Sequence, residues 1–289
     1  MTATILVTGG AGYVGSHIVV ELARAGYAPV VLDNFVNSTP AVLPRLQALA
    51  GRPVPCVTAD VRDVAALRSV FHDHPIAGVV HCAGLKAVGE SEERPLAYYD
   101  VNVGGAIALA EVMGEAGVAT IVFSSSATVY GQPDRLPVAE DAPLRPHSVY
   151  GRTKRVVEDF LRDLARANAN WRIAILRYFN PAGAHSSGML GEAARGRPAN
   201  LVPLLCKIAG GELAELAIHG GDWPTPDGTG VRDYLHVQDL AEGHVAALKH
   251  LAKVHGAVTL NLGAGRGHSV LEVVRAFEPV TSATLSSYP

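Results

Sequence analysis

The chain has 289 residues, of which 48% are hydrophobic and 18% charged, and its formal net charge is −3. These values are typical of a globular protein, and with no run of Lys or Arg we do not expect nucleic acid as a partner. Three scattered cysteines (Cys56, Cys82 and Cys206) are too few for a disulfide framework or a zinc site, and no apolar run reaches the roughly 18 residues of a membrane helix. We therefore expect a cytoplasmic protein with no membrane partner.

The first 177 residues alternate short β-branched runs with longer amphipathic stretches, which predicts parallel strands with helices on both faces of the sheet. The predicted strands are near-continuous apolar runs at Ile5–Thr8, Pro29–Leu32, Val54–Thr58, Gly78–Cys82, Thr120–Ser125 and Arg172–Leu176. Helical patterns lie at Val14–Ala25, Val64–His72, Leu96–Ala116 and Ser148–Ala167. We expect an α/β fold in which residues 1–177 form a Rossmann-type doubly wound parallel sheet.

The pattern changes beyond Tyr178, where Gly/Pro-rich stretches separate shorter elements. The stretches are Asn180–Pro203 and His219–Gly230, and the elements between and after them are a strand at Val231–His236, a helix at Gln238–His250 and a strand at Val258–Leu262. We expect residues 178–289 to form a smaller C-terminal substrate-binding domain that meets the sheet edge and surrounds a ligand with its loops.

A glycine-rich loop follows the first predicted strand and opens the first predicted helix. Gly9, Gly12 and Gly15 stand in the spacing G-x-x-G-x-x-G. Gly9 permits the tight turn, Gly12 lets the backbone approach a pyrophosphate, and Gly15 lets the helix pack closely on the sheet. Ordinary tight turns contain such spacings too, but the flanking strand and helix favour a dinucleotide site in which free N–H groups of the helix hold the phosphates.

Asp33 ends the second predicted strand, where a carboxylate accepts both ribose hydroxyls of adenosine and repels a 2′-phosphate. The sequence therefore favours NAD over NADP as the cofactor. Asp60 follows the third predicted strand and can meet the adenine amino group. The small residues Cys82-Ala83-Gly84 end the fourth strand, where the cofactor must pass close to the backbone.

Tyr150 and Lys154 stand four residues apart in a predicted helix and so share one helix face. Tyrosine is a poor base at neutral pH because its ordinary pKa is about 10, but a neighbouring ammonium and the charge of oxidised nicotinamide stabilise the phenolate. This pair alone is common on helix surfaces. Ser126 provides the deciding context, because it ends the fifth strand and ligands bind outside the carboxyl ends of parallel strands. We predict that Tyr150, Lys154 and Ser126 are the catalytic residues.

With these motifs the chain resembles the extended short-chain dehydrogenases/reductases, and among them the epimerases of nucleotide sugars. The matching segments run nearly without a gap to Phe277: Val7–Ser16, Leu32–Asn34, Ala83–Ser91, Phe123–Gly131, Tyr150-Gly151, Arg177–Ala184, Asn200–Pro203, Asp227–His236 and Asn261–Gly265. The resemblance implies interconversion of UDP-glucose and UDP-galactose through a 4-keto sugar, with NAD retained throughout the cycle. Tyr150, helped by Ser126, would take the proton of the sugar 4-hydroxyl and return it once the sugar has presented its other face.

The same resemblance implies the remaining site residues. Further cofactor contacts would come from Tyr13, Val14, Asn34, Asn37, Ser38, Val61, Lys86, Asn102, Ser124 and Phe179. Contacts with the UDP-sugar would come from Lys86, Ser126, Tyr150, Asn180, Asn200, Leu201, Ala217, Ile218, His219, Arg232 and Tyr234. The resemblance also implies a homodimer built on the helices Leu96–Ala116 and Ser148–Ala167, and no histidine cluster has a spacing that suggests a metal.

The chain departs from the family beyond Phe277, where a Ser/Thr-rich tail replaces the family's Arg-rich loop that contacts the diphosphate. Two interpretations stay open: an altered end that leaves a C-terminally truncated, incomplete substrate domain, or a natural short form. The alternative functions are accordingly a catalytically weak NAD- or nucleotide-binding protein, or another member of the family that modifies nucleotide sugars. Dehydration is disfavoured, because Ala127 and Thr128 stand where related dehydratases carry an Asp-Glu pair and neither can act as acid or base.

Overall fold

A computed structural model of the chain describes residues 2–193, 200–218 and 220–278, together with the backbone of 287–288. Its strands are β1 (Thr4–Thr8), β2 (Ala28–Asp33), β3 (Cys56–Thr58), β4 (Ile76–His81), β5 (Thr120–Ser126), β6 (Arg172–Tyr178), β7 (Asn180–Ala182), β8 (Leu216–Ala217), β9 (Val231–His236), β10 (Gly256–Leu262), β11 (Gly267–Ser269) and β12 (Ser287–Tyr288). Its α-helices are α1 (Tyr13–Arg24), α2 (Val42–Ala50), α3 (Val64–Asp73), α4 (Val88–Glu93), α5 (Pro95–Tyr98), α6 (Gly105–Glu115), α7 (Val149–Ala167), α8 (Leu201–Ala209), α9 (Val237–Leu251) and α10 (Val270–Phe277).

Seven of the strands form one sheet in the order β10-β6-β5-β4-β1-β2-β3, and every neighbouring pair in it is parallel. Successive side chains of β1 point to opposite faces of the sheet. Ile5 and Val7 pack with α1, α2 and α9, whereas Leu6 packs with α3, α6 and α7. The strands are therefore buried on both sides, which explains their near-continuous apolar sequence. This is the predicted Rossmann-type doubly wound sheet.

The helix predicted over Leu96–Ala116 is a chain of three helical segments, because a π-helical turn (Tyr99–Gly104) separates α5 from α6. The short helices α2 and α4 were not predicted. The helix α2 offers only Leu46 as a fully buried residue and α4 only Ser91, so neither has the apolar stripe that marks an amphipathic helix.

The segment beyond residue 178 is divided between two layers. A small sheet has the order β11-β9-β7, in which β9 is antiparallel to β11 and parallel to β7. By contrast, β10 pairs with β6 at the edge of the main sheet, and α9 packs on α1. The main sheet therefore includes β10 (Gly256–Leu262), which comes after the predicted boundary at residue 177. The sequence predicts the strand at Val258–Leu262. No pattern in its neighbouring residues indicates that it pairs with β6, about 80 positions earlier.

The stretch Asn180–Pro203, predicted as loop, contains β7 and the first turn of α8. In the tail, β12 pairs in parallel with β8, and the other residues of the tail lie outside the described part of the chain. No helix within the described residues is both long and apolar enough to cross a membrane.

Candidate active site

The glycine loop lies at the carboxyl end of β1, against the segment that follows β4. Gly9 has φ +70°, and a Cβ there would lie 2.8 Å from the backbone nitrogen of Ala83. A Cβ on Gly15 would lie 2.2 Å from the carbonyl oxygen of Gly9. Gly12, which has no side chain to cap the helix, directly precedes α1. The loop therefore leaves backbone N–H groups at the positive end of α1 open to an anion.

Asp33 ends β2 beside this loop and is buried, with 8% of its surface exposed. Its carboxylate accepts hydrogen bonds from the backbone N–H of Ala11 at 3.0 Å, from the N–H of Phe35 at 2.8 Å and from the hydroxyl of Ser38 at 2.9 Å. These bonds tie the glycine loop to the loop after β2. Asn37, predicted alongside Ser38, is exposed and takes no part in this group of bonds.

Asp60 follows β3 at the same edge. It forms an ion pair with Arg62 at 2.8 Å and accepts from the side-chain amide of Asn34 at 2.9 Å. The hydrogen bonds from Arg62 hold the pKa of Asp60 well below its usual range. The carboxylate therefore stays ionised at neutral pH and can accept hydrogen bonds from an amino group. Its neighbour Val61 is a core residue, with 4% of its surface exposed.

Lys154 carries a buried ammonium group from α7 to the end of β5. Its Nζ donates to the carbonyl oxygen of Ser124 at 2.8 Å and lies 4.9 Å from the centre of the Phe123 ring. The same nitrogen is 5.8 Å from the centre of the Tyr150 ring. Burial lowers the pKa of Lys154 to about 8, while Cys82 and Glu158 act in the opposite direction.

The phenol of Tyr150 is buried near Ser126, the residue predicted to assist it. Burial raises the pKa of Tyr150 to about 12, and the hydrogen bond with Ser126 acts in the opposite direction. Ser126 Oγ accepts from the backbone N–H of Thr128 at 3.2 Å and from its hydroxyl at 2.9 Å. Since Thr128 supplies two donors, the proton of Ser126 is left for the phenol or for a ligand. A hydroxyl, a phenol and an ammonium group thus lie near one another at the carboxyl end of β5.

The family comparison agrees with this geometry, because the family model of the NAD dependent epimerase/dehydratase family matches residues 5–263. The chain belongs to this family. It is 53% identical over 282 residues to the UDP-glucose 4-epimerase of Neisseria meningitidis serogroup A, covering 97% of this chain and 83% of that protein. It is also 53% identical over 277 residues to the UDP-glucose 4-epimerase of Bacillus subtilis, covering 96% of this chain and 82% of that protein.

A solved structure of another member is similar over almost the whole chain. It is UDP-glucose 4-epimerase from Bifidobacterium longum in complex with NAD+ and UDP, with a TM-score of 0.96 at 48% identity. The match covers 99% of this chain and 85% of that chain.

In this member of the epimerase/dehydratase family, Glu192 links two of the residues predicted to bind the UDP-sugar. Its Oε1 accepts from Lys86 Nζ at 2.8 Å and from the side-chain amide of Asn200 at 3.0 Å. Lys86 comes from the segment after β4, whereas Asn200 directly precedes α8. The structure therefore brings these two predicted residues together through a carboxylate that the sequence did not reveal.

Asn180 and Tyr234 are also brought together, since they are partners in the register of β7 and β9. Phe179 lies against Gly263, where a Cβ would come 2.9 Å from its ring. The hydroxyl of Tyr13 donates to the carbonyl of Gly183 at 2.7 Å, which joins the start of α1 to the segment after β7.

Other predicted residues have structural contacts of their own. Both ends of the Asn102 amide are engaged, because it accepts from the N–H of Leu85 at 2.8 Å and donates to the Leu85 carbonyl and to Thr153, both at 3.1 Å. Leu201 and Ile218 pack in a small apolar cluster with α8 and α10, and Val14 packs on the main core.

Arg232 is exposed and donates to the carbonyl of Val231 at 2.8 Å, rather than pairing with the neighbouring Asp233, which accepts from the N–H groups of Ala264 and Gly265. Ala217 is exposed in β8. His219 lies outside the described residues.

The sequence did not reveal that Tyr178 and His244 form a buried hydrogen-bonded group with the predicted residues Ser124 and Cys82. The hydroxyl of Ser124 donates to Cys82 at 3.1 Å, and Tyr178 bonds to Ser124 and, at 2.5 Å, to Nε2 of His244. Burial lowers the pKa of His244 to about 4, so this imidazole is neutral at pH 7. The sequence could have indicated Tyr178 through its position, because it is the last residue of β6, at the edge of the sheet where ligands bind.

Proposed function

We propose that the chain interconverts UDP-glucose and UDP-galactose by inversion at C4, with NAD as a retained cofactor. The observation that carries the proposal is the meeting of Tyr150, Ser126 and Lys154 at the carboxyl edge of a parallel sheet, beside a glycine loop. Relatives named UDP-glucose 4-epimerase, at 53% identity over nearly the full chain, support the choice of reaction.

The residues present fit NAD. The cradle at Gly9, Gly12 and Gly15, which side chains would fill, suits a pyrophosphate, and the Asp33 carboxylate suits two ribose hydroxyls but would repel a 2′-phosphate. Asp60 would meet the adenine amino group, and Lys154 the nicotinamide ribose. NAD, when bound, supplies the acceptor of the hydride from C4 and its later donor.

We infer that Tyr150 removes the proton of the sugar 4-hydroxyl and later returns it. Because the pKa of Tyr150 is high in the absence of ligands, its phenolate needs a nearby positive charge to stabilise it. Lys154 provides this charge from the same helix face. Ser126 holds the phenolic oxygen and the sugar hydroxyl in one line of hydrogen bonds. A 4-keto sugar released from these contacts can then present its other face.

We propose that the nucleotide sugar binds where the main sheet meets the smaller segment. Support comes from the pairing of Asn180 with Tyr234 and from the Lys86–Glu192–Asn200 group, which spans that junction. The guanidinium of Arg232 is exposed and suited to a diphosphate. In this proposal residues 1–177 form the cofactor-binding domain together with α9 and β10. The rest of 178–289 forms the domain that binds the sugar nucleotide.

The test measures conversion of UDP-galactose by the full chain and the NAD released on denaturing the same preparation. We expect Tyr150→Phe to retain NAD and to lose about 10²–10⁴-fold in kcat. Tyr27→Phe is the matched control, because Tyr27 lies before β2 and packs on the core, so its kcat should be unchanged. Bound NAD without turnover in the wild type, or full activity in Tyr150→Phe, would refute the proposal.

We also propose that the protein is a cytoplasmic homodimer. Free thiols at Cys56, Cys82 and Cys206 suit a reducing compartment. Support for the dimer comes from large apolar side chains exposed along α4 to α7, with Leu96 84% exposed and Ile107 43%.

A further inference from the structure

The backbone N–H of Tyr150 is held by a side chain from another helix. Tyr150 is the second residue of α7, where N–H groups have no acceptor within their own helix. Ser148, just before the helix, accepts from the N–H of Gly151 at 3.0 Å, which is an ordinary N-cap. The N–H of Tyr150 donates instead to Oγ of Ser91 in α4 at 3.1 Å. The start of α7 is therefore tied to α4 at the residue that bears the phenol.

The Ser91 hydroxyl has a fixed direction. Ser91 is completely buried, and its Oγ donates to the carbonyl oxygen of Val88 at 2.6 Å. Because a hydroxyl has one proton and the carbonyl only accepts, a lone pair of Ser91 must face the N–H of Tyr150. A second bond from α4 lies alongside, since the N–H of Val149 donates to the carboxylate of Glu92 at 2.7 Å.

The same helical turn also lies close to the segment that carries Ser126. A Cβ on Gly151 would lie 3.0 Å from the carbonyl oxygen of Thr128, so the helix approaches this segment closely. Thr128 in turn donates to Ser126 through both its N–H and its hydroxyl. The turn that bears Tyr150 thus contacts both Ser91 and the segment that carries Ser126.

We propose that Ser91 is a positioning residue for Tyr150: by holding its N–H, the hydroxyl keeps the phenol within hydrogen-bond reach of Ser126. The proposal rests on the proposed function only in giving Tyr150 its role as proton carrier. Small displacements of a reacting group reduce the rate strongly, so the contact acts on the chemical step rather than on ligand affinity.

The kinetic test compares Ser91→Ala with Ser148→Ala, which removes the neighbouring bond of the same helix end. Both variants should lower Tm by similar amounts, because each leaves one N–H of α7 without its acceptor. We expect Ser91→Ala to lose about 10-fold or more in kcat, with KM for UDP-galactose and bound NAD close to the wild type. Ser148→Ala should keep kcat within about twofold. Equal kcat values for the two variants would overturn the proposal.

A second measurement does not depend on the substrate. The phenolate of Tyr150 is titrated by ultraviolet absorbance as the difference between proteins with and without Tyr150→Phe, in the wild type and in Ser91→Ala. Among the described residues, the titratable groups near Tyr150 include Lys154 on its own helix, Tyr98 on α5, Tyr178 on β6 and Glu92 on α4, and the variant retains all four.

We expect the pKa of Tyr150 to be higher in Ser91→Ala, because the phenol moves away from Ser126, which acts to lower it. Identical titrations would overturn the proposal. Ser91→Cys, which keeps the side-chain shape with a somewhat larger sulfur and provides a much weaker acceptor, replaces Ser91→Ala in both measurements if the alanine protein does not fold. If the wild type does not convert UDP-galactose, the proposed function fails while this titration still decides the role of Ser91.

Discussion

Lys154 holds its ammonium group inside the protein, where burial opposes charge. Only 6% of its surface is exposed, and its pKa is lowered to about 8 from the ordinary 10.5. In the proposed mechanism this group stays charged to favour the Tyr150 phenolate, and its burial is a cost to folding. Active sites commonly contain such residues, because stability is given up for a poised charge.

Replacing Lys154 by Met should separate the two effects. At pH 7 the unfolded chain and the wild-type fold both hold the proton, so the penalty is fully present and Lys154→Met should be more stable by about 1–3 kcal/mol. As pH rises from about 8 towards 10.5, the folded lysine is neutral while the unfolded one is still charged, so wild-type stability rises relative to the variant. Denaturant unfolding at pH 7 and pH 10 measures this difference, and kcat should fall about 10²-fold.

A constant difference in stability between pH 7 and pH 10 would contradict this assignment of the lysine pKa. Lys207→Met is a suitable control, because Lys207 lies on the surface of α8 in an ion pair with Glu212. That substitution should show no comparable change between the two pH values, since surface pairs contribute little.

At the scale of elements, the first turn of α1 is packed on the glycine loop without room for a side chain. A Cβ on Gly15 would meet the Gly9 carbonyl at 2.2 Å and the Cα of Gly10 at 2.8 Å. All these atoms belong to the backbone, so relief requires α1 to move away from β1. Such a movement would also open the cradle that the loop makes for phosphates.

We expect Gly15→Ala to lower the free energy of unfolding by about 2–4 kcal/mol and to abolish retention of NAD. Gly114→Ala is the matched control, because Gly114 lies within α6 and a Cβ there meets nothing within 4 Å. It should stabilise the protein by about 0.5–1 kcal/mol, since alanine favours the helix. Chemical denaturation and NAD content measure both. A Gly15→Ala protein as stable as the wild type would contradict the close packing.

The sequence predicted those elements whose patterns lie within neighbouring residues. The buried strands and the glycine loop could be predicted because apolar runs and glycine spacing lie within a few adjacent residues. The helix α4 could not, because its contribution is one buried serine whose partner is 59 residues away. The role of Asn102 was equally hidden, since the π-helical turn aims its amide at Leu85 and Thr153.

The prediction that Tyr150, Lys154 and Ser126 lie close together rested on strand ends sharing one edge in a parallel sheet, and their catalytic role stays a prediction. The sequence did not reveal Glu192, whose contacts with Lys86 and Asn200 join segments far apart in sequence. A carboxylate in a Gly/Pro-rich stretch carries no pattern that distinguishes it from a solvated one.

At the scale of the whole molecule, the segment from α4 to α7 carries large apolar side chains that are exposed to water. Val88, Leu96, Tyr99, Ile107 and Val156 are each between 38% and 84% exposed. Covering such a face in a homodimer would remove this area from water at about 25 cal/mol per Å².

The substitution Leu96→Glu should therefore shift the protein from dimer to monomer, because it introduces a charge into the apolar face. Analytical ultracentrifugation over a range of concentrations measures the shift. Leu136→Glu is the control. Leu136 is similarly exposed, at 80%, but it lies in the segment between β5 and α7, outside the proposed interface. A wild-type protein that is monomeric at micromolar concentration would refute the proposed interface.

The position of β10 has a consequence for synthesis of the protein. During translation β6 leaves the ribosome well before β10, which pairs with all of its residues from Arg172 to Tyr178. At a synthesis rate of about 5–20 residues per second, the outer edge of β6 stays unpaired for several seconds. A strand edge of this kind can pair with other chains. We therefore expect the nascent protein to depend on chaperones until residue 262 has emerged, although every residue of the glycine loop is present much earlier.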